Sequence, residues 1–221
     1  MVSKAPKIAQ WIATHSKISW DDKQGEAGSS TSSANKPPQL TETGRDEVAK
    51  SGNIRHVIYN KAPNFHVEIW IKDNHEFFFR PDLKGPIYTP LETLNNPYKI
   101  ELDRDFPDFD WISPANFCGI EKINNRECLV FLSGSTSSND NQKTNREVLL
   151  QDPYAIYRAP SSACVDLQSR LPVLIKEGDE IIAYQFSSSP QTITLPNDLQ
   201  TLLDNQEKAH KQMISMPGRP Y

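Results

Sequence analysis

The chain has 221 residues with a formal net charge of −4, and 37% of its side chains are hydrophobic. That length holds one large domain, or one domain with an arm, and is enough to bury a sizeable core. The acidic balance and the absence of a basic run exclude a nucleic-acid footprint, and no stretch approaches the roughly 18 to 20 apolar residues that a membrane-spanning helix needs.

In chain order, Met1-Val2-Ser3-Lys4 is not followed by an apolar h-region, so no secretory signal is visible there. The expectation is a cytosolic chain, or an exported one whose leader has been removed. Residues 5–20 (APKIAQWIATHSKISW) place Ile8, Trp11, Ile12 and Ile18 near helical spacing and predict an amphipathic N-terminal helix within 1–20. Residues 21–40 open with DDKQGEAGSSTSSANKPP, almost without apolar side chains, and read as a polar flexible linker or loop. A β domain is expected over 41–207, including a short C-terminal helix that starts at Asn197-Asp198 and sets Leu199, Leu202 and Leu203 on one side. Residues 208–221 read as a tail. The Ser/Asn-rich stretch 133–147 reads as a loop between strands.

Strands are expected at 54–59, then in the hairpin FHVEIWIKDNHEFFFRP (65–81), then at 117–123, 126–132, 155–157, 163–167, 171–176 and 180–186. The register of 65–81 decides which side chains share a face. A three-residue turn through Asp73-Asn74-His75 sets Ile71 opposite Phe77 and Ile69 opposite Phe79. It also pairs Lys72 with Glu76 and Glu68 with Arg80. That register puts Val67, Ile69, Ile71, Phe77 and Phe79 on a core face and leaves Trp70 and Phe78 opposite each other on the charged face. This aromatic pair either stiffens an exposed sheet, with or without a cover such as the N-terminal segment with Trp11, or contacts a partner. In 117–132, Asn124-Asn125 as a type I′ turn pairs Lys122 with Glu127 and Ile120 with Leu129. Cys118 then lies beside Phe131, with Cys128 on the opposite face, which argues against a bridge between the two. With Cys164 the cysteines are three, an odd number without zinc spacing, and read as small buried side chains.

No phosphate loop, His-Glu-x-x-His or Gly-x-Ser-x-Gly occurs, and the serines have no evident base. Catalytic residues, a bound metal and a cofactor are therefore not expected. His66, Glu68 and His75 read as solvated groups before a metal site. The acids of DRDFPDFDW (103–111) interleave with Phe106, Phe109 and Trp111, so a short helix or turn docking aromatics on the sheet, acids outward, is favoured over calcium or acid-base chemistry.

Three segments together resemble a known family. DFPDFDWISPANFCGIEKINNRECLVF carries an Asp-aromatic segment followed by a G-x-E-x-I-x-x-R-x-C hairpin. ACVDLQSRLPVLIKEGDEIIAYQF carries a strand ending in Val-Asp, a turn, Leu-Pro and two more strands, and KAPNFHVEIWIKDN carries Pro before an alternating run. Over roughly residues 54–200 this succession resembles the outer-membrane lipoprotein carrier superfamily, the LolA/LolB-like and lipoprotein-sorting-protein group. The resemblance implies an α+β fold: a strongly curved, unclosed antiparallel β-sheet, a half-barrel, with helices covering the concave face. It implies a non-enzymatic carrier or sensor in the cell envelope, periplasmic or otherwise exported, that takes lipid or lipoprotein acyl chains in an apolar cavity. The implied partners are a lipid or acylated protein and an envelope protein, with no nucleic acid and at most peripheral membrane contact, for a monomeric protein. No motif here matches the substrate-gating arginine of the classical carriers. By position, the expected cavity wall is Val67, Ile69, Ile71, Phe77 and Phe79, continued by Ile120, Leu129 and Phe131 and by Val173, Ile175, Ile182 and Tyr184. Trp70 and Phe78 are the expected partner contacts. The rival expectation is an interaction or scaffold domain whose core is filled.

Overall fold

The structure, a computed structural model, describes residues 2–20, 37–61, 63–73, 75–90, 105–133 and 154–215. In chain order the strands are β1 (Ile8–Ser19), β2 (Gln39–Ser51), β3 (Ile54–Lys61), β4 (Phe65–Lys72), β5 (His75–Phe79), β6 (Ile87–Pro90), β7 (Phe117–Ile123), β8 (Arg126–Ser133), β9 (Ser161–Asp166), β10 (Pro172–Glu177) and β11 (Glu180–Phe186). The helices are α1 (Ala155–Arg158) and α2 (Asn197–Ser215), with short 3-10 turns at Pro107–Phe109 and Pro114–Asn116.

All the strands join one eleven-stranded antiparallel sheet in the order β6-β5-β4-β3-β2-β1-β11-β10-β9-β8-β7. It does not close, since β6 and β7 are its two edges. This is the unclosed α+β half-barrel architecture that the sequence led us to expect. The chain starts in the middle, winds out to β6, crosses to the far edge at β7, and winds back until β11 lies beside β1. The connection from β6 to β7 joins the two edges, and its described part, residues 105–116, is found against the face that carries Trp11.

The N-terminal segment is a strand rather than the expected helix. Its burial alternates, with Ala9, Trp11 and Ala13 buried, and β1 pairs with β2 on one side and β11 on the other. A central strand meets packing on both faces, so apolar residues occur at both parities and mimic helical spacing. β2 has no counterpart in the sequence reading, because its Glu, Arg, Asp and Lys side chains hide a strand that is specified by β1. Residues 155–157, expected as a strand, form α1 instead. α2 runs on to Ser215, past the boundary expected at 207. The linker at 21–36 and the Ser/Asn loop beyond Ser133 lie outside the described residues.

Two hairpins deserve separate accounts. At β7–β8, Asn124 and Asn125 both adopt positive φ (50° and 65°), and Lys122 pairs with Glu127 and Ile120 with Leu129, as the turn chemistry predicts. A register shift between Phe117 and Gly119, however, brings Cys118 onto the same face as Cys128. The two share one core cluster with Cys164, and all three thiols are free and buried. Burial pushes each thiol above its ordinary pKa, with Cys164 moved furthest.

At β4–β5 the register differs by one residue from the expected one. Lys72 pairs with His75, Ile71 with Glu76, Trp70 with Phe77, Ile69 with Phe78 and Glu68 with Phe79. The connection thus has two residues, with Asp73 at φ 53°. The charge pairs that favoured the longer turn are worth about 0.2 to 1 kcal/mol each. The observed register instead gives Phe77 complete burial (0% exposed) against Leu195, Leu199 and Leu203 at the start of α2. Burying one such ring contributes about 1.5 to 3 kcal/mol, so packing wins.

The sheet is covered on both faces. α1 packs one end of one face, over Cys118, Val130, Cys164, Leu174 and Ile181, and α2 packs the other end of that same face over Phe77, Trp70 and Phe79. We call this the helix face. The first turns of α2 hold it in place, since Leu199 and Leu203 are buried while residues 204–213 are exposed. Leu199→Ala is expected to lower the unfolding free energy by about 2 to 5 kcal/mol. Met213→Ala, at a side chain 63% exposed, should change it by less than about 0.5 kcal/mol. Urea denaturation of the two variants beside the parent measures both.

Candidate functional site

The face opposite the helices is built in cross-strand rows that follow from the observed registers. One row runs Trp11, Val48, Val57, Ile69 and Phe78, one residue from each of β1 to β5 in spatial sequence. All five line a cavity of about 400 Å³. That lies within the roughly 300 to 1,000 Å³ of ligand sites. Four inter-strand steps of about 4.8 Å make the apolar row about 19 Å long. Its flanking rows are mixed, polar at most strands but apolar at β4, where Val67 and Ile71 are buried beside Ile69. Asp46 and Tyr59 neighbour it on one side, with Tyr184 and Ala13 at the β1 end, and Arg55 and Glu76 flank it on the other. The result is a narrow apolar trough lying across the strands.

The trough is closed at the β1 end by an aromatic cluster. Phe106 packs on Trp11 (centroids 5.5 Å apart), Tyr184 (5.9 Å) and Phe186 (5.9 Å), and Phe109 packs on Tyr184 (5.7 Å). Pro at the first 3-10 position sets the turn that delivers these rings, and Phe106 and Phe109 are buried as the sequence pattern implies. Asp110 is exposed, as expected, and Asp108 is exposed but borders the trough, whereas the Asp105 side chain is only 4% exposed. It accepts from the backbone N–H of Ala5 (3.0 Å), from Lys50 Nζ (2.8 and 2.9 Å) and from Arg55 Nη2. The covering segment is thereby tied to the N-terminus, β2 and β3 at once. Both cations of this flank are spent on Asp105.

The remaining polar groups are acceptors. Asp46 Oδ2 lies 2.8 Å from His15 Nε2, and Asp46 Oδ1 is buried without a hydrogen-bond partner among the described residues. Burial, reinforced by the carboxylates of Asp108 and Asp46, holds the Tyr184 phenol far above its ordinary pKa, and its hydroxyl donates to Asp108. Glu76 is half-buried, and the loss of solvent raises its carboxyl above the usual range.

The structure divides the wall residues expected from the sequence. Ile69 and Tyr184 line the trough, with Val67 and Ile71 buried on the same face of β4. Leu129, Phe131 and Ile175 fill the core beneath Phe106 and Phe109, with Ile182 packed against it. Phe77 and Phe79 lie on the helix face beside α2, Val173 lies in the helix-face core with the cysteines, and Ile120 is 51% exposed on the edge strand β7. The expected Trp70–Phe78 pair is separated by the register. Phe78 lines the trough, while Trp70 stacks on His56 (4.0 Å) on the opposite face and donates to Glu68 Oε1 (2.7 Å). His56 Nε2 shares that oxygen at 2.9 Å, His66 Nδ1 meets Asn60, and His75 Nδ1 meets the Tyr88 hydroxyl. No group of three or more His, Cys, Asp or Glu side chains able to hold a metal ion occurs among the described residues. The sequence reading missed Trp11, Val48 and Val57, whose signal is their shared row, visible only once β1 and β2 are known to be strands.

A second hollow, of about 550 Å³, lies on the helix face between the middle strands and Ile193. Its central row runs Gln185, Ile12, Glu47 and Ile58, so polar and apolar side chains alternate across the strands. A continuous apolar path is found in the trough and not there.

Asp105 carries the anchoring of the covering segment. Asp105→Ala leaves two cations without their buried partner and is expected to cost about 3 to 5 kcal/mol in urea denaturation. Asp105→Asn, which keeps shape but not charge, should recover part of that loss.

Comparison with protein-family models and with curated proteins returns no match. Among solved structures, this chain is similar to the crystal structure of a LolA superfamily protein from Nitrosomonas europaea, at 13% sequence identity over 89% of this chain and 91% of that one, with a TM-score of 0.31.

Proposed function

We propose that this protein is a non-enzymatic binder of a single extended apolar chain, the acyl chain of a lipid or of an acylated protein, serving as a carrier or sensor in the cell envelope. The observation that carries this reading is the trough: five apolar side chains on five successive strands, lined on both sides mostly by polar groups. A helix or a sheet edge needs a broader surface, whereas an alkyl chain needs only a narrow one. Each buried CH₂ contributes about 0.8 kcal/mol, so a chain spanning the row gains affinity without any charged contact. The rival reading, an interaction or scaffold domain with a filled core, predicts no ligand in the trough; the observed register separates the Trp70 and Phe78 it could have used together.

The test uses a pyrene-labelled long-chain alcohol, which is uncharged, with native mass spectrometry as a second readout. The full chain should bind it saturably and one to one. Ile69→Trp, which fills the middle of the trough, should weaken binding at least about tenfold. A filled core would instead make this enlargement cost about 1 to 3 kcal/mol in stability, with no binding to lose. No saturable binding by the parent chain, together with an unshifted apo mass, would overturn the proposal.

A further inference from the structure

The apolar row does not end where the cavity ends. Past Phe78 it continues to Ile87 on β6, the direct cross-strand partner of Phe78. Past Trp11 it continues to Phe186 on β11, the direct partner of Trp11, with ring centroids 5.7 Å apart. The two ends are finished differently. At the β6 end Ile87 is 47% exposed. At the β1 end Phe106 lies over both Trp11 and Phe186, at 5.5 and 5.9 Å, and leaves Trp11 5% exposed. Phe106 does not belong to the sheet. It comes from the crossing segment, and the residue before it, Asp105, is held by the Ala5 N–H, Lys50 and Arg55. A ring fixed by its neighbour therefore rests on a row that is apolar on both sides of it.

We infer that Phe106 sets the length of the chain that the trough accepts: the tail of a straight alkyl chain ends against its ring, and the polar end lies toward β6. This rests on the acyl-chain reading of the trough and adds a length to its ligand. From Val48, the row member next to Trp11, to Ile87 there are four inter-strand steps of about 4.8 Å, about 19 Å in all. A fully extended chain of single bonds gains about 3.6 Å over three bonds, so an alkyl chain covers that span with about sixteen bonds. A shorter chain forgoes buried CH₂ groups, each of which tightens binding about fourfold. A longer chain has to leave the row or displace a ring that is 8% exposed. Truncating that ring leaves an apolar cavity above Trp11 and Phe186, of the kind that takes apolar ligands, and lengthens the open row by two steps, about 10 Å.

The experiment loads the full chain from one equimolar mixture of straight-chain saturated alcohols, octanol to hexacosanol, held in methyl-β-cyclodextrin. The complex is isolated by gel filtration and the retained alcohols are measured by gas chromatography. Comparing each variant with the parent in the same mixture cancels the preference of the cyclodextrin. The parent is expected to retain chains centred near about sixteen carbons. Phe106→Ala should move that centre up by at least about four carbons. Val48→Trp, which sets a ring one strand nearer the β6 end, should move it down by about four. Urea denaturation establishes that each variant is folded under the loading conditions. If Phe106→Ala is not, Phe106→Leu takes its place with a smaller upward move, and Val48→Trp is decisive in its own right. A purely structural Phe106 would change the total retained and leave the centre where it is. An unmoved centre in the folded Phe106 variant, or in Val48→Trp, would overturn this inference and leave the trough reading standing. A parent chain that retains no alcohol at all would overturn both.

Discussion

The pairing of β1 on both its edges is the constraint from which the rest of the structure follows. β1 hydrogen-bonds to β2 along almost its whole length and to β11 from Trp11 to Lys17. The first set of contacts joins neighbours in the chain. The second joins residues more than 160 positions apart and turns two separate antiparallel meanders into one sheet. It also forces the chain to cross from one edge to the other between β6 and β7. The covering segment 105–116 is the described part of that crossing. Long-range pairing of this kind makes loop-closure entropy large before its contacts form, so the seam is the expensive part of the fold to assemble. Trp11 lies at the seam and touches Phe106 and Phe186, so the strand that unites the sheet also docks the crossing onto it.

How much of this was legible in the sequence depends on how local the determinant is. Asn124-Asn125 is a turn signal that acts within a few residues, and the pairs next to it, Lys122 with Glu127 and Ile120 with Leu129, were placed correctly, while Cys118, further from the turn, was not. The Phe106 and Phe109 pattern was equally readable, since alternation of acids with aromatics in a short turn reflects one buried and one solvated side. β1 was not legible because apolar residues stand at both parities, Ile8 and Ile12 beside Ala9, Trp11 and Ala13, and so mask in the sequence the alternation that its burial shows. β2 was not legible because its charged side chains have partners only in tertiary context: Asp46 meets His15 and Lys50 meets Asp105. The β4–β5 register failed for a related reason. Charge pairing across a hairpin is visible in the sequence, whereas the arrival of Leu199 over Phe77 from a helix more than a hundred residues away is not.

That single-residue slip has a functional consequence. In the expected register Phe77 and Phe79 share a wall with Ile69, and Phe78 faces outward with Trp70. In the observed one Phe78 completes the apolar row, while Phe77 becomes the anchor for α2. The same five-residue strand therefore serves two layers, one parity for helix docking and the other for the trough. A sheet packed on both faces can carry two different surfaces on one set of strands, and the helix-face hollow with its alternating Gln185, Ile12, Glu47 and Ile58 shows how different they are here.

The Asp105 cluster then decides which end of the trough is open. Buried ion groups of this kind contribute little net stability, because desolvation offsets most of their attraction, but breaking one is costly, and they fix the register of the elements they join. Here the joined elements are the N-terminal residues at Ala5, β2 at Lys50, β3 at Arg55 and the crossing segment. Held at that point, the crossing segment packs Phe106 over Trp11, 5% exposed at the β1 end of the row, and Val57 in the middle of the row is 4% exposed. Val48, Ile69 and Phe78 remain half-buried among the described residues. The trough is therefore more open at Phe78 and Ile69, at the β4–β5 end, than at the aromatic wall of Trp11, Phe106 and Tyr184. Glu76 stands at the more open end and Asp46 nearer the wall, so the polar groups are arranged along the trough as well as around it.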